Sequence, residues 1–261
     1  MAAHEKTDTR DPIRDMPLRD PGQSLRRQIE YNYLDATLPW LLIAALAFML
    51  ALIEWIRWST DASYFPGVMT LVAVLLIAIA AWRWHRAASA LQNWKLGLKG
   101  ERYVGQYLQA ELLPRGYSVL HDICGTGFNI DHVAIGPGGV FAIEVKTRSK
   151  RRGDARVTYD GERVLIDGLA PDRDPVVQAR AGAATVQQIL ERYTGRKVTV
   201  RPVILFPGWW VEPQPRPVET WVLNEKAFIG FIQKEPAKLS PEESRALAEG
   251  LARYVRDQFG N

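Results

Sequence analysis

Asp131, Glu144 and Lys146 are the residues of this chain whose types and spacing could do chemistry together. They lie in two apolar runs, Asn129-Ile130-Asp131-His132-Val133-Ala134-Ile135 and Val140-Phe141-Ala142-Ile143-Glu144-Val145-Lys146, joined by Gly136-Pro137-Gly138-Gly139. That pattern predicts two strands and a tight turn. A symmetric turn centred on Pro137-Gly138 pairs Ile135 with Val140, Val133 with Ala142, and Asp131 with Glu144. Directly opposed side chains stand roughly 4.5–5.5 Å apart at Cβ. Two carboxylates therefore meet, and Lys146, two residues beyond Glu144, joins them on the same face. Opposed like charges repel unless a cation sits between them or one is protonated. The chemistry that fits is capture of a divalent metal for phosphodiester hydrolysis.

The competing reading is a solvated hairpin face whose ion pair contributes at most about 1 kcal/mol. The neighbours weigh against it. Val133, Ile135, Val140 and Ala142 share the face of the acids, and Ile130, Ala134, Phe141, Ile143 and Val145 fill the other. A hairpin apolar on both faces belongs inside a covered sheet. Charged groups there are rarely left unpaired.

The elements that must hold this hairpin are legible along the chain. Residues 1–37 are polar, mixed in charge and without an apolar period, and read as a flexible tail. Two apolar runs follow, at residues 38–53 and 64–82. A bilayer span needs about 20 residues. The second run carries no charge, and the first continues into Glu54-Trp55-Ile56-Arg57-Trp58, an interfacial pattern. The short link predicts an antiparallel helical hairpin over residues 38–86, with Trp40, Trp55, Trp58, Tyr64, Trp82 and Trp84 as an aromatic belt. A buried soluble hairpin is the alternative, but little else in the chain could cover both helices. Arg26 and Arg27 before the hairpin, and Arg83, Arg86, Lys95 and Lys99 after it, contrast with a connecting loop free of Lys and Arg. The positive-inside rule then places both termini in the cytoplasm, on a two-pass inner-membrane protein.

The soluble region is expected over residues 91–234, with a C-terminal helix in 235–261. Residues 96–113 read as a helix ended by Pro114 and Gly116, in which Gly97, Gly100 and Gly105 cost roughly 1 kcal/mol each and permit close approach of another backbone or of phosphate. Residues 117–123 read as a strand. Asp160-Gly161 marks a second hairpin, and Asp174-Pro175 caps a helix running to about Tyr193. A strand at 197–205 contains Pro202, which suggests an edge or a bulge. Asn224 and the Ser240-Pro241-Glu242-Glu243 capping box open two further helices. The order implies an α/β fold, a mixed central sheet flanked by helices. No Walker or dinucleotide glycine pattern is present. Cys124 is the only cysteine, which excludes an intrachain disulfide and a cysteine zinc cluster. The net charge of +4 permits a polyanionic partner without demanding one.

Gly100-Glu101 on the first helix, Asn129-Ile130-Asp131-His132, the Gly-Pro turn and residues 140–146 resemble the nuclease-related domain, NERD. That domain is similar to the PD-(D/E)xK restriction-endonuclease-like superfamily, and the likeness covers roughly residues 96–206. It implies a restriction-endonuclease-like fold, here preceded by a transmembrane α-helical hairpin. It also implies Asp131 and Glu144 as ligands of Mg²⁺ or Mn²⁺, with Lys146 near the attacking water. Glu101 corresponds to the first-helix acid, a further metal ligand, and Gln178 resembles the helical glutamine of some branches. Asn129-Ile130 stands where a proline is expected before Asp131.

The basic run Arg148, Lys150, Arg151, Arg152 and Arg156 follows directly and offers phosphate contacts, against the common alternative of a solvated loop. His132 faces away from Asp131 and reads as packed, as does His121. Trp209 and Trp210 could stack bases, with a core or membrane-facing role as the alternative. The expectation is a membrane-anchored metal-dependent nuclease acting on nucleic acid, DNA ahead of RNA. The alternative is a membrane-tethered nucleic-acid-binding module or scaffold of the same fold without efficient cleavage. The sequence leaves a homo-oligomer open.

Overall fold

A computed structural model describes residues 19–60, 66–125, 127–150, 155–214 and 217–259. Two long helices come first, α1 (Gln23–Ser59) and α2 (Gly67–Leu112). They lie antiparallel along their length. Trp55 Nε1 donates to Thr70 Oγ1 (2.8 Å), the Arg83 guanidinium sits 4.7 Å from the Trp40 ring centroid, and Leu25 packs on Gly97. Thr37–Ser59 of α1 and the apolar first half of α2 are long and apolar enough to cross a membrane. Their outward faces carry exposed Leu42, Leu46, Phe48, Leu71, Val74 and Leu75.

Two expected boundaries move. The tail of residues 1–37 does not extend to the first apolar run, because α1 begins at Gln23; residues 1–18 lie outside the described residues. Nor is there a linker near residue 91. The second apolar helix and the first helix of the soluble region are one element, α2, about 69 Å long at 1.5 Å per residue. Gly97, Gly100 and Gly105 of α2 are places of close approach, as expected, to side chains in and just before α1 and to Thr147. Leu25 packs on Gly97, the Thr147 side chain lies against Gly100, and a Cβ at Gly105 would stand 2.6 Å from Pro21 Cγ. Packing there offsets the roughly 1 kcal/mol that each glycine costs a helix.

After a short 3₁₀ turn (Leu113–Arg115), the chain forms β1 (Ser118–Gly125), β2 (Phe128–Gly136) and β3 (Gly139–Val145). Then come β4 (Arg156–Tyr159), β5 (Val164–Ile166), α3 (Pro175–Thr194), β6 (Val200–Leu205), β7 (Trp210–Val211) and β8 (Trp221–Leu223), followed by α4 (Glu225–Ile232) and α5 (Pro241–Phe259). The main sheet has the order β1-β2-β3-β6-β8. Its β1, β2 and β3 run antiparallel, while β6 and β8 join in parallel. This is a mixed α/β sheet covered on both faces. Val133, Ile135, Val140 and Ala142 pack under α3 and α5, and Ala134, Phe141, Ile143 and Val145 pack under α2 and α4.

The central hairpin has the expected register, with Ile135 opposite Val140, Val133 opposite Ala142, and Gly136 opposite Gly139. Pro202 is not at an edge, since β6 lies between β3 and β8. Leu205 accepts from Lys146 N–H on the β3 side and Phe206 donates to Leu223 on the β8 side, so alternation turns the nitrogen of Pro202 toward β8. Pairing with β8 begins only at Val203, so no ladder bond is lost. A second sheet, β5-β4-β7, stands apart. The expected caps are made by Asp174 on α3, Asn224 on α4 and the reciprocal Ser240–Glu243 pair on α5.

Candidate active site

Ladder pairing between β2 and β3 stops at His132 opposite Ile143, one step before the two acids. There the Asp131 side chain replaces the backbone, and its Oδ2 accepts the Val145 N–H at 2.7 Å. Beyond Val145 the chain stays tied to β6 through Lys146 N–H on Leu205. Lys146 thus leaves a fixed strand end. Its Nζ donates to Glu144 Oε1 (2.7 Å) and to Gln178 Oε1 (2.8 Å). Gln178 Nε2 donates to the same Glu144 Oε1 at 2.6 Å, closing a triangle. Gln178 sits in the first turn of α3, where the Asp174 cap accepts from Val176 N–H at 2.8 Å and sets the helix start.

Glu101 reaches the same region from α2. Gly100 lets that helix approach the residue after Lys146, since a side chain there would occupy the place of Thr147. Glu101 Oε2 is buried and accepts no hydrogen bond among the described residues.

The electrostatics follow from burial. Asp131 and Glu144 are 7% and 8% exposed. Burial, then Glu144 and Glu101, hold the Asp131 carboxyl well above the ordinary carboxylate range. Glu144 is also raised by burial, with Lys146 acting against it. Burial, Asp122 and Glu144 raise Glu101 from 4.5 to about 7. Three acids with one lysine form a site short of positive charge. Among the described residues no group of three or more His, Cys, Asp or Glu side chains is placed to hold a metal ion. Mg²⁺ does not need such a cage, because it takes one or two carboxylates and completes its shell with water and phosphate oxygens. The buried pair of Asp131 and Glu144, with the orphaned Glu101 oxygen beside it, fits that habit.

The basic run is dispersed. Arg148 is half exposed and stands 3.6 Å from Asp172. Lys150 donates to the Gly208 carbonyl and lies 5.7 Å from the Trp209 ring centroid. Arg156 pairs with Glu212 at 3.1 Å. Arg151 and Arg152 lie outside the described residues. Arg156 is exposed and its partner, Glu212, lies just past β7. Trp209 is buried, with its indole donating to the Arg148 carbonyl, while Trp210 is exposed. His132 and His121 are paired across β1 and β2 with Nδ1 atoms 3.0 Å apart, on the face away from Asp131. Burial pushes His132 down to about 3, so it is neutral.

Sequence reading missed a second acid, Asp122. It is fully buried, at φ 53°, and accepts from Ser24 N–H at 2.9 Å, from the Ser24 hydroxyl, and from Arg19 at 2.7 Å. Helix α1 lacks a cap of its own, and Asp122 supplies one from 98 residues away. The only signal was an acid inside the apolar run of β1. This latch lays Gly22 on Glu101, where a Cβ would stand 3.0 Å from Oε2. Asp122→Ala removes the acceptor of a buried ion pair and of two hydrogen bonds, and is expected to destabilise the protein by about 3–5 kcal/mol in denaturant unfolding. A loss below about 1 kcal/mol would show that the latch is ornamental.

Residues 96–207 match the family model of the nuclease-related domain, NERD. The matched region is similar to that family over 112 of the chain's 261 residues. It begins on α2 ahead of Glu101, ends just past β6, and contains Asp131, Glu144, Lys146 and Gln178. No curated protein matches the chain. Among solved structures, SfsA from Pyrococcus furiosus, determined in complex with Ca²⁺, is similar at 15% identity and a TM-score of 0.24. That match covers 61% of this chain and 52% of SfsA, so the chain spans about half the length of SfsA.

Proposed function

We propose that the protein is a membrane-anchored, metal-dependent nuclease that hydrolyses phosphodiester bonds of nucleic acid, DNA ahead of RNA. The observation that carries this reading is the closed triangle of Lys146, Glu144 and Gln178 beside the buried Asp131 carboxylate. Asp131 and Glu144 would hold Mg²⁺ or Mn²⁺, with Glu101 as a further ligand. When bound, such a metal acidifies a water and neutralises charge on the phosphate. The chain's own residues supply the rest. Lys146 presents a cation where negative charge grows on the phosphate oxygens. Gln178 holds that ammonium and Glu144 in one plane of contact, so neither swings into solvent. Glu101, with its carboxyl near 7, can carry or release a proton at neutral pH.

The anchor belongs to the same reading. Arg26, Arg27, Arg83, Arg86, Lys95 and Lys99 all fall at the end of the helical hairpin nearer the NERD region, which supports a cytoplasmic location for both chain ends. Because α2 is continuous, Glu101 rides about 25 Å along the helix from Trp84. The site would stand at a set height above the bilayer.

The test is incubation of the full chain, in lipid nanodiscs, with end-labelled DNA and RNA in Mg²⁺, Mn²⁺ or EDTA. Fragments that appear only with metal are expected. Intact substrate under every condition, from folded protein that binds Mn²⁺, would overturn the reading.

A further inference from the structure

Beside the triangle lies a cavity of about 610 Å³ that the chemistry above does not use. Asn93 and Leu96 of α2 form one wall, Thr147 and Arg148 the floor next to Lys146, and residues 166–172 with Trp209 the far wall. A smaller cavity of about 220 Å³ shares Arg148, Ile166, Pro171 and Asp172 with it and is lined by Lys146 itself. The two make one trough that ends at the candidate site. Pockets for drug-sized molecules run from about 300 to 1,000 Å³, the scale of one or two nucleotides and not of two paired strands.

The lining suits such an occupant. Leu96, Ile166, Leu169, Pro171 and the edge of Trp209 give apolar surface for base faces. Leu169 is 59% exposed. Arg148 holds Asp172 only loosely, at 3.6 Å, and Asp172 is 94% exposed. An exposed pair of this kind contributes about 0–1 kcal/mol, so a phosphate can displace the carboxylate and take the guanidinium in two parallel bonds.

We infer that this trough is a binding site for an unpaired polynucleotide strand, seating one or two nucleotides that flank the phosphate at Lys146. The inference rests on the nuclease reading for the position of that phosphate, but not for the fit of the strand. It makes single-stranded nucleic acid, or a frayed end, the substrate class. Bases contact apolar walls, so the site tolerates any sequence.

The test uses the full chain in nanodiscs with EDTA, so that binding is read without cleavage, by fluorescence anisotropy. The probes are labelled oligothymidylate, oligouridylate and a blunt duplex of equal length. Ala170→Trp fills the trough from an exposed loop position, and Arg148→Ala removes the phosphate contact. Single strands are expected to bind about tenfold tighter than the duplex. Ala170→Trp is expected to lose that advantage, and Arg148→Ala to weaken binding and lower the salt dependence by about one charge. A difference between the two oligonucleotides shows that the 2′ position or the thymine methyl is read; equal binding shows that only the unpaired base and phosphate are. Should Ala170→Trp fail to fold, Arg148→Ala decides alone. Duplex bound as tightly as single strands, or both variants binding like the parent, would overturn the inference. Cleavage that ignores the trough removes this inference and leaves the nuclease reading. Trough-dependent binding with no cleavage in any metal does the reverse.

Discussion

Lys146→Ala should lower metal-dependent cleavage by at least about 100-fold while leaving the fold in place. Removing one preorganised donor at a developing oxyanion costs about 10²–10³ in rate, and among the described residues Lys146 is the only cation bonded to Glu144. The side chain is 27% exposed and sits past the end of β3, so its loss opens no cavity in the sheet. Glu144 is left buried without its ammonium, so stability should fall by about 1–3 kcal/mol. Lys146→Arg should not rescue, since a planar fork cannot donate from one point to both Glu144 and Gln178. Single-turnover kinetics on the full chain, with Mn²⁺ affinity measured alongside, checks this. Wild-type rates in Lys146→Ala would remove the lysine from the mechanism.

Asp131→Asn should move stability and metal binding in opposite directions. Asp131, Glu144 and Glu101 are all raised by burial and by one another. A carboxyl whose folded value lies above its unfolded value favours the fold while protonated. That contribution is full below about pH 4, the unfolded range, and is lost as pH rises through the folded value, about 7 for Glu101. In the metal-free protein these acids should therefore withdraw stability between about pH 4.5 and 8, by something on the order of 3 kcal/mol for a shift the size of that on Glu101, while His132, held near 3, works the other way below about pH 6.5. An asparagine carbonyl still accepts the Val145 N–H but carries no charge. Metal-free Asp131→Asn should then melt higher than wild type at pH 8, by about 2–4 °C for each kcal/mol regained. Saturating Mn²⁺ should stabilise wild type by about 2.7 kcal/mol at 100 times its dissociation constant, and the variant hardly at all. Thermal melts across pH, with and without Mn²⁺, read both effects. A gap in metal-free melting temperature between Asp131→Asn and wild type that does not widen from pH 5 to 8 would contradict the electrostatics of the site.

What could be read from the sequence was local. Gly-Pro-Gly-Gly between alternating apolar runs sets the hairpin register, because a slip of one residue would turn Val133 and Ala142 off their shared face. Asp174-Pro175, Asn224 and the Ser240–Glu243 box each cap a helix within three residues of themselves. The missed features depend on distant partners. Helix α1 starts at Gln23 because Asp122 caps it from β1, which no local pattern announces. Helix α2 passes through three glycines because Pro21, Leu25 and Thr147 pack where their side chains would be. The pairing of β4 with β7 across some fifty residues placed the trough beside the site, and a two-residue strand leaves no periodicity to read. Gln178 was legible as a residue type on a helix, but its contacts to both Lys146 and Glu144 depend on how α3 crosses β3.

The central claim is that this buried acid pair and its lysine hydrolyse phosphodiesters. The most direct measurement is product release from labelled single-stranded DNA by full-length wild type, Asp131→Asn and Lys146→Ala in parallel, in Mn²⁺ and in EDTA. Cleavage by wild type in Mn²⁺ alone is expected, with both variants folded and at background. Equal cleavage by all three proteins, or cleavage that persists in EDTA, would contradict that claim.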